Sequence, residues 1–152
     1  MEPIQIYLLK GIGPLKFGQS LKEAEEIYGL PDEREELFDD FLNEKSHVLH
    51  YWALGFSLFF LDDEKKSFQC AEVDQKKAII FDVAVFKLGE EEVKMLFKQY
   101  GFELTESELH TWGEKRLSFD EAFADLYFEQ GKLVSINFCA KEEGKEDRFM
   151  MN

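Results

Sequence analysis

His47 and His50, with Glu44 just before them, are residue types that could hold a metal ion. Histidines three apart share an ion when they ride one helix face; on a strand they point to opposite faces. The alternation downstream makes this segment the start of a strand, so no metal site is expected there. His110 stands alone, as a surface or packing histidine does. Adjacent carboxylates recur at Asp39-Asp40, Asp62-Asp63 and Asp120-Glu121. General acid–base work needs a cleft and a pKa displaced by burial, whereas paired acids in polar turns are solvated. Asp62-Asp63-Glu64 lacks the spaced oxygen ligands and the glycine of a calcium loop. The chain has no Gly-x-Ser-x-Gly elbow, phosphate loop or dinucleotide fingerprint. Gly11-Ile12-Gly13 is too short for one, and Pro14 removes an amide that a phosphate would want. No catalytic residue, cofactor or metal is expected, and the chain is not expected to be an enzyme.

The elements come next. Ile4, Ile6 and Leu8 alternate as a first strand, which Gly11 to Pro14 breaks. Ser20-Leu21-Lys22-Glu23 has the form of a capping box, and Leu21, Ala24, Ile27 and Tyr28 fall on one helical face. Gly29 and Pro31 end that helix. Glu33 to Phe41 mixes acids with Leu37, Phe38 and Phe41 and predicts a short helix or ordered loop. Trp52, Leu54, Phe56, Leu58 and Phe60 recur with period two, so they line one face of a strand or hairpin. Asp62 to Lys66 is a polar turn, and Ser67 to Val73 returns as a strand. A second strand–helix pair follows, with Val93, Leu96, Phe97 and Tyr100 at helical spacing after Glu90-Glu91-Glu92. Strands are then expected from Trp112 to Ser118, Ala122 to Glu129 and through Val134, Ile136 and Phe138, with Gln130-Gly131 as a turn. Residues after Lys141 are expected to fray.

The two series match. Pro14-Leu15-Lys16-Phe17-Gly18 leads to a helix closing at Tyr28-Gly29-Leu30; Val85-Phe86-Lys87-Leu88-Gly89 leads to one closing at Tyr100-Gly101-Phe102. Leu58-Phe59-Phe60 precedes Cys70-Ala71 as Leu126-Tyr127-Phe128 precedes Cys139-Ala140. An offset near roughly 70 residues, seen twice, is a duplicated supersecondary unit. The expected fold is α+β: a single domain of two tandem repeats, about 4–75 and 77–140, each strand, helix and antiparallel meander. The helices would pack on one face of the sheet, with no linker between the repeats.

Composition narrows the partners. The chain has 152 residues, sixteen of them Phe, and a net charge of -14, so it can bury a core and would repel a phosphate backbone. No nucleic acid is expected; a basic protein suits such a surface. No apolar run approaches the roughly 20 residues of a membrane span, and the N-terminus lacks the pattern of a secretory leader. Cys70 and Cys139 are too few for a disulfide framework. They are expected as small buried apolar residues in a reducing cytoplasm.

The Gly11 to Gly18 pattern before a capped helix, and the Gly55-Phe56-Ser57-Leu58-Phe59-Phe60 strand before an acidic turn, occur here in tandem. Together they resemble proteins of the beta-lactamase-inhibitory-protein-like fold and small bacterial immunity-type proteins, over about Ile4 to Phe138. The resemblance implies a concave sheet that grips another protein and no enzymatic activity. The second repeat departs from it, with Asp82-Val83-Ala84-Val85 where the leading glycines would stand.

Register supplies the candidate surface. If Leu58 and Phe60 face the helices, Phe59 faces away, as does Tyr127 between Leu126 and Phe128. Parity adds Tyr51 and Ser57 to Phe59, and Asp125 and Glu129 to Tyr127. Aromatics anchor interfaces. The expected partner-binding residues are therefore Tyr51, Phe59, Trp112 and Tyr127, with Asp39 and Asp40 steering a basic partner and the Glu33 to Asp40 segment acting as a specificity insert of the first repeat. The alternative is a homodimeric structural module closed through the same face.

Overall fold

The computed structural model describes residues 2–141, so the segment after Lys141 expected to fray lies outside the described residues. The first strand, β1 (Gln5–Tyr7), pairs with β2 (Gly11–Ile12), and β2 with β3 (Leu15–Lys16). The stretch before the first helix is therefore a tight antiparallel turn. Gly11 permits it: at φ 155°, a Cβ there would lie 2.1 Å from the carbonyl oxygen of Leu15. Helix α1 (Leu21–Tyr28) starts at the expected capping box. The Ser20 hydroxyl accepts the Glu23 N–H at 3.1 Å, and Glu23 Oε1 accepts the Ser20 N–H at 3.2 Å. Ala24 is buried, Tyr28 half-buried, and Ile27 faces solvent.

Four antiparallel strands follow: β4 (Glu33–Asp39), β5 (Glu44–Tyr51), β6 (Phe56–Leu61) and β7 (Phe68–Val73). Next come β8 (Ile79–Ile80), β9 (Val83–Ala84) and helix α2 (Glu90–Gln99), whose Glu92 Oε1 accepts the Gly89 N–H at 3.0 Å. The chain closes with β10 (Glu106–Leu109), β11 (Glu114–Phe119), β12 (Ala124–Glu129) and β13 (Lys132–Cys139). Gln130 and Gly131, both at positive φ, turn β12 into β13 as a two-residue hairpin requires. The protein is thus α+β and dominated by sheet. Eight strands form one sheet in the order β10-β11-β12-β13-β7-β6-β5-β4, and a smaller sheet runs β3-β2-β1-β8-β9. Among the described residues, no helix is long and apolar enough to cross a membrane.

One face of the large sheet is core. Leu49, Phe56, Leu58, Phe60, Ala71 and Val73 line it from the first meander, and Leu117, Phe119, Leu126, Phe128, Ile136 and Phe138 from the second. Tyr28 of α1 packs edge-on against Phe56 at 5.0 Å between centroids, and Phe97 of α2 lies tilted against Phe119 at 4.3 Å. Buried Gln75 ties the layers together. Its Oε1 accepts the Ile4 N–H at 2.8 Å and its Nε2 donates to the Leu54 carbonyl at 2.9 Å. Gly55, at φ 82°, leaves room for this glutamine, since a Cβ would lie 2.7 Å from that of Gln75.

Four expectations are corrected. Glu33 to Phe41 is neither helix nor loop: Glu33–Asp39 is an edge strand exposed along its whole length, so burial imprints no period on it. Nor does the second half lack such a segment, because β10 holds the opposite edge. Trp52 leaves the buried row: it begins a 3-10 turn over Trp52–Leu54 and is 60% exposed. Cys70 and Cys139 are not free apolar residues but form a disulfide, since β7 and β13 pair antiparallel and set them directly opposite, 4.0 Å apart at Cα.

Candidate binding face

The second face of the large sheet carries the side chains that the core leaves out. Ser57 and Phe59 of β6 and Asp125 and Tyr127 of β12 all lie there, half-buried, with Glu129 exposed. Cross-strand pairing extends two rows across it. Ser118, Asp125, Asn137, Glu72, Ser57, His50 and Glu33 form one, and Cys139, Cys70, Phe59, Val48 and Glu35 another. Tyr51 is not on this face. The turn between β5 and β6 breaks the parity, and Tyr51 pairs with inward-facing Phe56. It is 2% exposed, and its hydroxyl donates to the Gly29 carbonyl at 2.8 Å. Burial pushes the phenols of Tyr51 and Tyr28 up to about 12.

Trp112 sits in the turn between β10 and β11, 70% exposed, and stacks on His110 at 4.4 Å. Asp39 ends β4 at the far edge. Seven strand spacings separate β10 from β4, about 34 Å along the sheet, so Trp112 and the Asp39-Asp40 pair do not share a patch. Phe59 and Tyr127 are on one face, three spacings apart across the sheet and four residues apart in register along β13, about 19 Å in all.

A shallow hollow of about 300 Å³ lies over the sheet beside Phe59, across β5, β6, β7 and β13, lined by Ser46, Phe59, Leu61, Cys70, Asn137 and Cys139 among others. The Oδ1 atom of Asn137 is buried there without a hydrogen-bond partner. Ser46 also borders a second, open hollow at the β4–β5 hairpin tip, with Leu37, Phe38, Asp39, Asp40 and Phe41. Five large apolar side chains are exposed at or beside this tip: Leu37, Phe38, Phe41, Leu42 and Leu61, with Phe41 at 95%. The tip is held in shape by Asp39, whose Oδ1 accepts the N–H groups of Phe41 at 2.9 Å and Leu42 at 3.2 Å.

Two polar networks flank the hollow. His50 Nδ1 meets Ser57 Oγ at 2.7 Å and its Nε2 meets Glu35 Oε1 at 2.9 Å, while the ring stacks on Trp52 at 5.4 Å. Hydroxyl, imidazole and carboxylate in line are the parts of a nucleophilic site. Here they lie across β4, β5 and β6, whose facing amides are committed to strand pairing, whereas an oxyanion needs free donors. On the other side Arg116 donates to Ser118 Oγ, to Glu106 at 2.9 Å and to Glu108 at 2.6 Å, and Ser118 Oγ donates to Asp125 at 2.6 Å. The guanidinium holds the Glu108 carboxyl below its usual range. Neither Arg116 nor His50–Ser57 is visible as a pair in the sequence, because cross-strand register, not spacing, brings them together. His47 and His50 do point to opposite faces: His47 is buried and meets Asp62 Oδ1 at 2.7 Å. Among the described residues no cluster of His, Cys, Asp or Glu is arranged to hold a metal. Comparison with protein families, with curated proteins and with solved structures finds no match for this chain.

Proposed function

We propose that the chain is a non-enzymatic protein-binding module, of the inhibitory or immunity type, that docks a basic protein partner on the outer face of the large sheet. The observation that carries this is the β4–β5 tip, where exposed Phe38, Phe41 and Leu42 stand among Asp39, Asp40 and Glu44. Exposed apolar groups in such a cluster mark interaction sites, and the surrounding carboxylates would speed encounter with a basic partner. Phe59 and Tyr127 extend the contact across the sheet; Tyr51 has no part in it.

The proposal includes an internal duplication resembling the beta-lactamase-inhibitory-protein-like architecture. In its support, a helix followed by four antiparallel strands occurs twice, and the order of the large sheet reads the same from either edge. Cys70 and Cys139, at matching places in the two series, meet where an antiparallel two-fold relation would put them. The proposal places the chain in the cytoplasm only if that bond can be exchanged, since permanent disulfides belong to oxidising compartments.

The test is binding by Phe41→Ala and by Phe59→Ala/Tyr127→Ala. Each is expected to weaken capture of a basic partner while the fold stays intact, with the melting temperature lowered by only a few degrees. Undiminished capture by both variants, or sedimentation of the wild type as a dimer through this face, would overturn it.

A further inference from the structure

We propose that the Cys70–Cys139 disulfide is a thiol-exchange site in the folded protein, suited to a small neutral or cationic thiol, and that its reduction loosens the outer face at the seam between β7 and β13. Three observations lead there. First, the two residues occupy a non-hydrogen-bonded cross-strand position: the neighbouring Ala140 N–H donates to Gln69 at 2.8 Å, so the ladder bonds fall on either side of the pair. Side chains stand closest at such positions. The sulfurs can thus separate and rejoin without any strand leaving its partner. Second, both cysteines are half-buried and line the open hollow of about 300 Å³ on the outer face, giving an attacking thiolate a route to sulfur. Third, Glu72 lines the same hollow and the chain carries a net charge of -14. An anionic thiol is repelled and a cationic one attracted.

A thiolate attacks one cysteine sulfur, forming a mixed disulfide as the Cys70–Cys139 bond breaks and the other cysteine leaves as thiolate. A second thiolate attacks the mixed disulfide at the small-molecule sulfur and releases the remaining cysteine. The protein disulfide gains two electrons, the two thiols become one small disulfide, and their two protons pass to the cysteines. With the bond gone, β7 and β13 keep their ladder but lose the cross-link between them. Phe59 is paired directly with Cys70, so its footing softens first. The effect on docking rests on the outer-face reading above; the exchange itself does not.

The experiment needs no partner. Native protein without denaturant is treated with cysteamine or with glutathione, quenched with iodoacetamide and weighed. Amide hydrogen exchange is followed in the oxidised and reduced forms. The expected results are a mixed disulfide with cysteamine on the minutes-to-hours scale of uncatalysed exchange, and slower reaction with glutathione at low salt. Amides of β6, β7 and β13 should exchange roughly tenfold faster in the reduced protein, those of α2 unchanged. A Cys70→Ser/Cys139→Ser variant should match the reduced wild type. Thiols that appear only at the rate of global unfolding, or seam amides equally protected in both forms, would overturn the proposal. Glutathione outpacing cysteamine at low salt would overturn its charge preference. Failure of Phe59→Ala/Tyr127→Ala to alter partner capture would remove the docking consequence and leave the exchange site standing.

Discussion

At the scale of single residues, the same aromatic type does opposite work depending on which side of a strand it leaves. Tyr51 and Phe59 are both aromatic and share parity, yet one is core and the other surface. Tyr51→Ala should destabilise the fold by about 3–5 kcal/mol, the range for emptying a large buried side chain. Tyr51→Phe should cost about 1–3 kcal/mol, because it removes only the hydrogen bond to Gly29. Phe59→Ala, on the half-open face, should cost about 1 kcal/mol. Urea melts of the three variants check this ordering directly. A Phe59→Ala loss as large as that of Tyr51→Ala would put Phe59 in the core and remove it from any docking surface.

At the scale of elements, what the sequence displays depends on how strongly burial stamps its period. The capping box at Ser20 and Glu23, the spacing of Val93 and Phe97 and the alternation in Phe56 to Phe60 are local signals, and each element forms where those residues predict. Edge strand β4 is exposed on both sides, so its acids and aromatics carry no burial pattern, and only its ladder with β5 makes it a strand. Parity misplaces Tyr51 for a related reason: it holds within a strand and is lost across a turn such as Trp52–Leu54. The disulfide and the Arg116 network depend on register between strands far apart in the chain, which no window of sequence contains. The elements also set the response to acid. Arg34 of β4 donates to Glu25 of α1 at 2.9 Å and holds that carboxyl below its usual range; a hydrogen bond from His47 does the same for Asp62. A carboxyl with a lowered folded-state pKa adds stability above its unfolded value, and that stability is lost as pH falls through the folded value. Chemical melts at about pH 7 and about pH 3 should show the loss, and Arg34→Ala should shrink it by a few tenths of a kcal/mol, as befits a surface pair. Ser20→Ala should remove about 1 kcal/mol at either pH.

At the scale of the whole molecule, eight strands form a single sheet with one face closed by core and one open. One bond spanning 69 residues of chain joins its two halves at the seam. On the chain-entropy account, closing a loop of that length adds about 4 kcal/mol. Reduction should therefore lower the melting temperature by roughly 8–16 °C for a chain of this size, a shift that calorimetry with and without a phosphine reductant would measure. The open face, bordered by the apolar and acidic hairpin tip, is where the proposed function resides. Its most direct test takes a protein captured from source cells, purifies it, and titrates it against the wild type and against Phe59→Ala/Tyr127→Ala at matched folding stability. The account predicts a basic partner whose affinity falls at least about tenfold, 1.4 kcal/mol, in the variant and weakens with salt. Equal affinity for both forms, or no saturable partner at all, would contradict it.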